Sequence, residues 1–172
     1  IPVLREAVRL GVPVSVDTYK PQLMQEALDL GADIINDIWA LRQPGAAQVV
    51  AAHPRCGVCL MHMYRDPQTM QVQPMQGDVL PQVLPFLQQQ ALKLQALGVE
   101  MHRIVLDPGI GFGKTVEQNF ALLARQGEML ASGYALNVIY GLMDGARDVA
   151  SYLRFDVLHV IGASLMLVGW LL

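Results

Sequence analysis

Four times between residues 12 and 115 a short apolar run ends in a polar or sulfur-bearing residue and gives way to a helical pattern. No other feature constrains the fold as much. VPVSV leads to Asp17, and KPQLMQEALDLG behind it sets Leu23, Met24, Ala27 and Leu28 at helical spacing, with Pro21 in the first turn and Gly31 as the stop. ADII leads to Asn36 and Asp37, followed by PGAAQVVAAH as a short helix. GVCLM leads to His62 and Met63. Residues 78–98 then read as a long amphipathic helix stopped by Gly98 and kinked at Pro85. IVL ends at Asp107, and Thr115 with Gln118 forms a capping box for a fourth helix.

Repeated strand-helix units of this length make an α/β fold, a parallel sheet covered by helices. The pattern alone leaves two closures open, a barrel and a doubly wound sheet. In either, functional groups gather beyond the carboxyl ends of the strands, so Asp17, Asn36, Met61 and Asp107 are expected on one face although they are far apart in sequence.

The loop LDPGIGFGKT (residues 106–115) is the most specific stretch. Its glycines allow positive φ and close approach of a ligand to the backbone. The amides of Gly111 to Thr115 are expected near a helix amino terminus, where anions or polar heterocycles are favoured. Two nucleotide signatures fail on spacing: the Walker pattern needs a glycine where Pro108 stands, and the dinucleotide fingerprint needs its third glycine at Lys114. A lysine at a helix start reads as a solvated surface group, so Lys114 is not assigned to a phosphate.

A net charge of -3 and a pI near 5.7, with no basic run interleaved with aromatics, argue against a nucleic-acid surface. Two cysteines and no charged-then-apolar leader predict a reducing, cytoplasmic setting. The chain begins at Ile1, which reads as a longer protein missing its amino terminus. His53, Cys56, Cys59 and His62 are spaced three apart, but three residues along a strand reverse the face, so no shared metal ion is expected and Cys59 is assigned to packing.

VSVDTYKP, GADIINDI, CLMHM, DPQTMQ and LDPGIGFGKT, in this order and at successive strand ends, resemble the dihydropteroate synthase family from about residue 1 to about residue 130. The resemblance implies a TIM (β/α)8 barrel, of which the chain would supply about four units as a partial pterin-binding domain (1–130). It implies condensation of a dihydropterin pyrophosphate with p-aminobenzoate, the substrate that sulfonamides imitate. By the same resemblance Asp17, Asn36 and Asp107 hold the pterin edge, with Asp17 and Asp107 also stabilising a pterin cation. Ile38, Met61 and Phe112 pack on the ring and Gly111 leaves room for it. Magnesium is implied as the cofactor that assists pyrophosphate departure, and a homodimer through the outer helices is implied as the assembly.

The match then stops. The family's Ser-Arg-Lys-Ser segment, its late Arg and His, and its first strand with Asn-Val-Thr-Pro do not occur here. Residues 131–172 form a divergent apolar tail, read as an improvised core-filling helix in preference to a membrane segment, because the run from Val157 to Leu172 is shorter than the roughly 20 residues a span needs. Two other readings stand beside the synthase: the pterin-binding domain of a folate-dependent methyltransferase, and a non-catalytic pterin-binding remnant.

Overall fold

The computed structural model describes residues 1–131. A short helix, α1 (Pro2–Ala7), and a 3-10 turn (Val8–Leu10) precede four strand-helix units. These are β1 (Ser15–Asp17) with α2 (Pro21–Asp29), β2 (Ile34–Asp37) with α3 (Ala46–Ala52), β3 (Gly57–Met61) with α4 (Leu80–Ala96), and β4 (Ile104–Asp107) with α5 (Val116–Ala124). A last helix, α6, spans Gln126–Ala131. The expected tail lies outside the described residues.

All strand pairs are parallel and the sheet order is β1-β2-β3-β4. A doubly wound sheet reverses its order at a switch point, whereas a barrel adds each strand beside the last. Four strands in unbroken order are an arc of a barrel, which decides between the two closures.

Strand parity divides the sheet. Ile35, Val58, Leu60 and Ile104 face the helices and are buried against Met24 of α2, Val50 of α3 and Val83, Leu87 and Leu94 of α4. Burying each such aliphatic side chain contributes roughly 1.5–3 kcal/mol. The opposite face carries Ser15, Asp17, Ile34, Asn36, Cys59 and Val105, and it stays partly open; Val105 is 37% exposed.

Local chemistry sets the ends of the elements. Pro21 stands in the first turn of α2, and Gly31 leaves it at φ +102°. The helix of residues 78–98 begins later than its sequence pattern suggests, at Leu80, whose amide donates to the Asp78 carboxylate at 3.2 Å. It runs through Pro85, which is solvent-exposed. The capping box of α5 is formed in both directions: Thr115 N–H donates to Gln118 Oε1 at 2.9 Å, and Gln118 N–H donates to Thr115 Oγ1 at 3.3 Å. Among the described residues no helix is long and apolar enough to cross a membrane.

Candidate functional site: polar groups at the strand ends

The register brings the strand-end groups together. Asp17 is aligned with Asn36, Asn36 with Cys59 and Cys59 with Val105; two residues further on, Met61 is aligned with Asp107. Aligned side chains share a face and successive ones alternate, so Asp17, Asn36, Cys59, Met61 and Asp107 all stand on the face away from the helices.

Asn36 Nδ2 donates to Asp17 Oδ2 at 3.4 Å. The other end of that amide, Oδ1, is buried and has no partner among the described residues. Leaving a buried acceptor unpaired costs about 1–3 kcal/mol, which a ligand N–H placed there would recover. Asp107 Oδ1 accepts from Gly109 N–H at 2.7 Å, so the carboxylate is oriented by its own loop. Burial lifts the carboxyl groups of Asp17 and Asp107 above the ordinary 3.8, more than the Asn36 amide lowers the first or the Gly109 amide and the Lys114 charge lower the second. Cys59 lies in the same row, and its thiol is pushed well up by burial and then by Asp107, Asp17 and Asp37. The thiol is therefore uncharged among three carboxylates.

Asp37 belongs to the helix side of the sheet and is fully buried. Its carboxylate accepts from Trp39 N–H and Leu41 N–H, each at 2.8 Å, and so holds a turn in which Ala40 and Leu41 adopt φ of +50° and +57°. Ile38, half-buried, opens that turn directly after Asn36. Beyond it the Arg42 guanidinium lies 4.9 Å from the Trp39 ring and 5.4 Å from the Phe86 ring. Phe86 in turn meets the His62 imidazole edge-on at 5.1 Å. Burial, followed by the Lys114 charge, holds His62 down at about 4, so it is neutral at physiological pH.

The loop after β4 is built differently from a phosphate cradle. Gly109, Gly111 and Gly113 have φ of +67°, +85° and +75°. A β-carbon on Gly109 would collide with the His62 carbonyl, and one on Gly113 would come within 2.7 Å of Tyr64 Cβ. Gly111 faces open space, but its amide donates to Asn119 Oδ1 at 2.9 Å and its carbonyl accepts from Gln71 Nε2 at 2.6 Å. Phe112, half-buried, follows it.

Of the amides of Gly111 to Thr115, expected to favour an anion, three are already taken: Gly111 N–H by Asn119 Oδ1, Phe112 N–H by the Gly109 carbonyl and Thr115 N–H by Gln118 Oε1. Lys114 is not a solvated surface group. It is 4% exposed, and its ammonium donates to the carbonyls of Gly109, Phe112 and His62 at 2.8, 3.1 and 3.2 Å. Carbonyls, not amides, converge on the centre of this loop, and the chain's own lysine fills it.

Compared with known protein families, residues 1–142 match the family described as pterin binding enzyme. The chain belongs to the pterin-binding enzyme family. Dihydropteroate synthase of Neisseria meningitidis serogroup C is 40% identical over 158 residues, which is 87% of this chain and 56% of that protein. The Escherichia coli enzyme of the same name is 43% identical over 129 residues, covering 74% of this chain and 45% of that protein. Among solved structures, Burkholderia cenocepacia dihydropteroate synthase complexed with 7,8-dihydropteroate aligns with a TM-score of 0.68 at 49% identity, over 74% of this chain and 46% of that one. The Thermus thermophilus enzyme in complex with 6HMPPP aligns at 0.72 and 45% identity, over 77% of this chain and 52% of that one. This member of the pterin-binding family thus spans about half the length of the relatives it matches.

Sequence reasoning missed two residues, one on the strand-end face and one buried beneath the loop after β4. Cys59 stands two residues before Met61, so strand parity alone could have placed it on the pocket face beside Asn36. Lys114 gave no such signal, because its partners include a carbonyl 52 residues away.

Proposed function

We propose that the chain forms the pterin-holding half of a dihydropteroate synthase site, which condenses 6-hydroxymethyl-7,8-dihydropterin pyrophosphate with p-aminobenzoate. The observation that carries this reading is the Asn36 amide. It is tied to Asp17 on one side and buried with a free acceptor on the other, on the same face as Asp107. A pteridine edge offers ring and amine N–H donors beside acceptor nitrogens, and two carboxylates and an amide complement that pattern. Ile38, Met61 and Phe112 supply apolar contact to the flat ring, and the positive φ of Gly111 keeps that part of the loop free of a side chain.

In the reaction, the bond between the exocyclic methylene carbon and the pyrophosphate oxygen breaks, and the lone pair of the arylamine nitrogen attacks that carbon. The nitrogen then releases its proton. Positive charge develops on the pterin as pyrophosphate leaves. On this reading Asp107, oriented by Gly109 N–H, and Asp17, beside the Asn36 amide, stabilise that charge electrostatically. Cys59 remains a neutral thiol and takes no part as a nucleophile.

Magnesium is implied by the family resemblance. Among the described residues no three carboxylate, imidazole or thiol groups are arranged to hold an ion, and no step is drawn through one. Among the described residues the strand-end row of Asp17, Asn36, Cys59, Met61 and Asp107 itself contains carboxylates, an amide and a thiol but no cation, and Lys114 is turned inward. That observation favours a second reading, in which this chain binds the pterin without turning it over.

Incubation of the chain with the dihydropterin pyrophosphate and p-aminobenzoate, read by mass for dihydropteroate, separates the two. Product establishes the synthase. Pterin binding without product supports the second reading, and failure of a folded chain to bind the pterin overturns both.

A further inference from the structure

Lys114 is the buried charge that the chemistry above does not use. An ammonium carries three hydrogens, and all three are spent on carbonyls: two from its own loop, at Gly109 and Phe112, and one from the segment after β3, at His62. The same two segments meet backbone to backbone, His62 N–H donating to the Asp107 carbonyl at 2.9 Å and Met75 N–H to the Gly113 carbonyl at 2.8 Å. Burying an ammonium is costly unless dipoles or charges replace its water. Here three carbonyl dipoles and the Asp107 carboxylate do so. Two of these carbonyls also accept a backbone N–H, Gly109 from Phe112 at 3.1 Å and Phe112 from Tyr64 at 3.5 Å, but without the ammonium the three dipoles would face one another with no positive charge between them.

We propose that Lys114 is a positioning residue for the pterin site: its ammonium sets the shape of the Gly109 to Gly113 loop, ties that loop to the β3 exit, and provides the counter-charge that keeps Asp107 an acceptor. The inference rests on the pterin reading above. It assigns Lys114 no contact with ligand. Asp107 is reached through charge and through Gly109, whose amide binds the carboxylate while its carbonyl binds the lysine.

The arrangement has a pH signature. Burial lowers Lys114 to about 8, against the favourable pull of Asp107. The titratable groups that act on it or respond to it are Asp107 at the end of β4 and His62 after β3, the latter already neutral. Losing its proton leaves Lys114 two hydrogens for three carbonyls and removes the charge opposite Asp107. Mildly alkaline solution therefore loosens the loop and weakens ligand binding together.

The test compares the wild-type chain with Lys114→Met, which keeps the length without charge or donors, and Lys114→Arg, which keeps a charge that does not titrate. One readout is affinity for 6-hydroxymethylpterin from pH 5 to 9.5, taken as a ratio to wild type so that the ligand's own titration cancels. The other is hydrogen exchange at the amides of Gly109, Phe112 and Met75 without ligand. Lys114→Met is expected to speed that exchange at least tenfold, to lower affinity at least tenfold at pH 7, and to move the acid limb of binding upward. Lys114→Arg is expected to keep the acid limb and lose the decline near pH 8; it carries the test alone if the methionine variant does not fold. Unchanged exchange with an unchanged pH profile overturns the proposal, as does an affinity loss equal at every pH. A wild type that binds no pterin overturns the functional reading and the pterin part of this inference, and the exchange arm then decides the loop part by itself.

Discussion

Asn36 donates to Asp17 across neighbouring strands at 3.4 Å, while the oxygen of the same amide is buried without a partner among the described residues. In the free protein that oxygen is a standing cost; in a complex it is an acceptor already in place. Asn36→Leu, similar in size, removes the unpaired acceptor and should leave thermal stability unchanged or slightly higher. It should also weaken pterin binding by at least tenfold, since about 1.4 kcal/mol is a factor of ten. Differential scanning calorimetry beside a ligand titration checks both halves, and a variant that binds as wild type contradicts the assignment of Asn36.

The glycines after β4 are not equivalent. Gly109 has a positive φ and no room for a β-carbon beside the His62 carbonyl, whereas Gly111 has the positive φ alone. Gly111→Ala should cost about 1 kcal/mol, and Gly109→Ala roughly 2–4 kcal/mol as strain and overpacking combine. Urea denaturation gives the ordering. Equal costs would mean that the Gly109 approach to His62 does not exist in solution.

His62 makes the fold acid-sensitive. Its folded value, about 4, lies below the ordinary 6.5, so the unfolded chain takes up a proton first as pH falls. The stability this neutral imidazole contributes is present above pH 6.5 and is lost as pH falls toward 4, a change worth roughly 3 kcal/mol. Wild type should lose stability across that window, and His62→Gln should flatten the loss. Parallel pH profiles for the two would remove His62 as its source.

Much of this site could be read from the sequence, for a definite reason. In a sheet covered by helices, an apolar strand that ends in Asp17, Asn36 or Asp107 places that group at the sheet's carboxyl edge whatever the closure, and the capping box at Thr115 and Gln118 fixes where the last of these loops must become helix. The closure needed the sheet order. The interior of the Gly109 to Gly113 loop was illegible because its conformation depends on His62, Tyr64 and Met75, all distant in sequence, and Lys114 in isolation carries no mark of burial. Asp37 shows the converse. Next to Asn36 in sequence it looks like a second pocket acid, yet strand parity sends it to the other face to hold a turn.

The central claim is that Asp107 and its strand-end neighbours hold a pterin. Calorimetric titration of the chain with 6-hydroxymethylpterin, beside Asp107→Asn, tests it most directly. The asparagine can still accept from Gly109 N–H, but it takes the counter-charge away from the buried Lys114 ammonium, so the variant should fold with somewhat lower stability and is titrated well below its unfolding temperature. It should bind the pterin roughly 5- to 150-fold more weakly, the equivalent of about 1–3 kcal/mol for one lost buried partner. Measurable binding that weakens in the variant is the expected result; equal binding by both, or none by a folded wild type, contradicts the account.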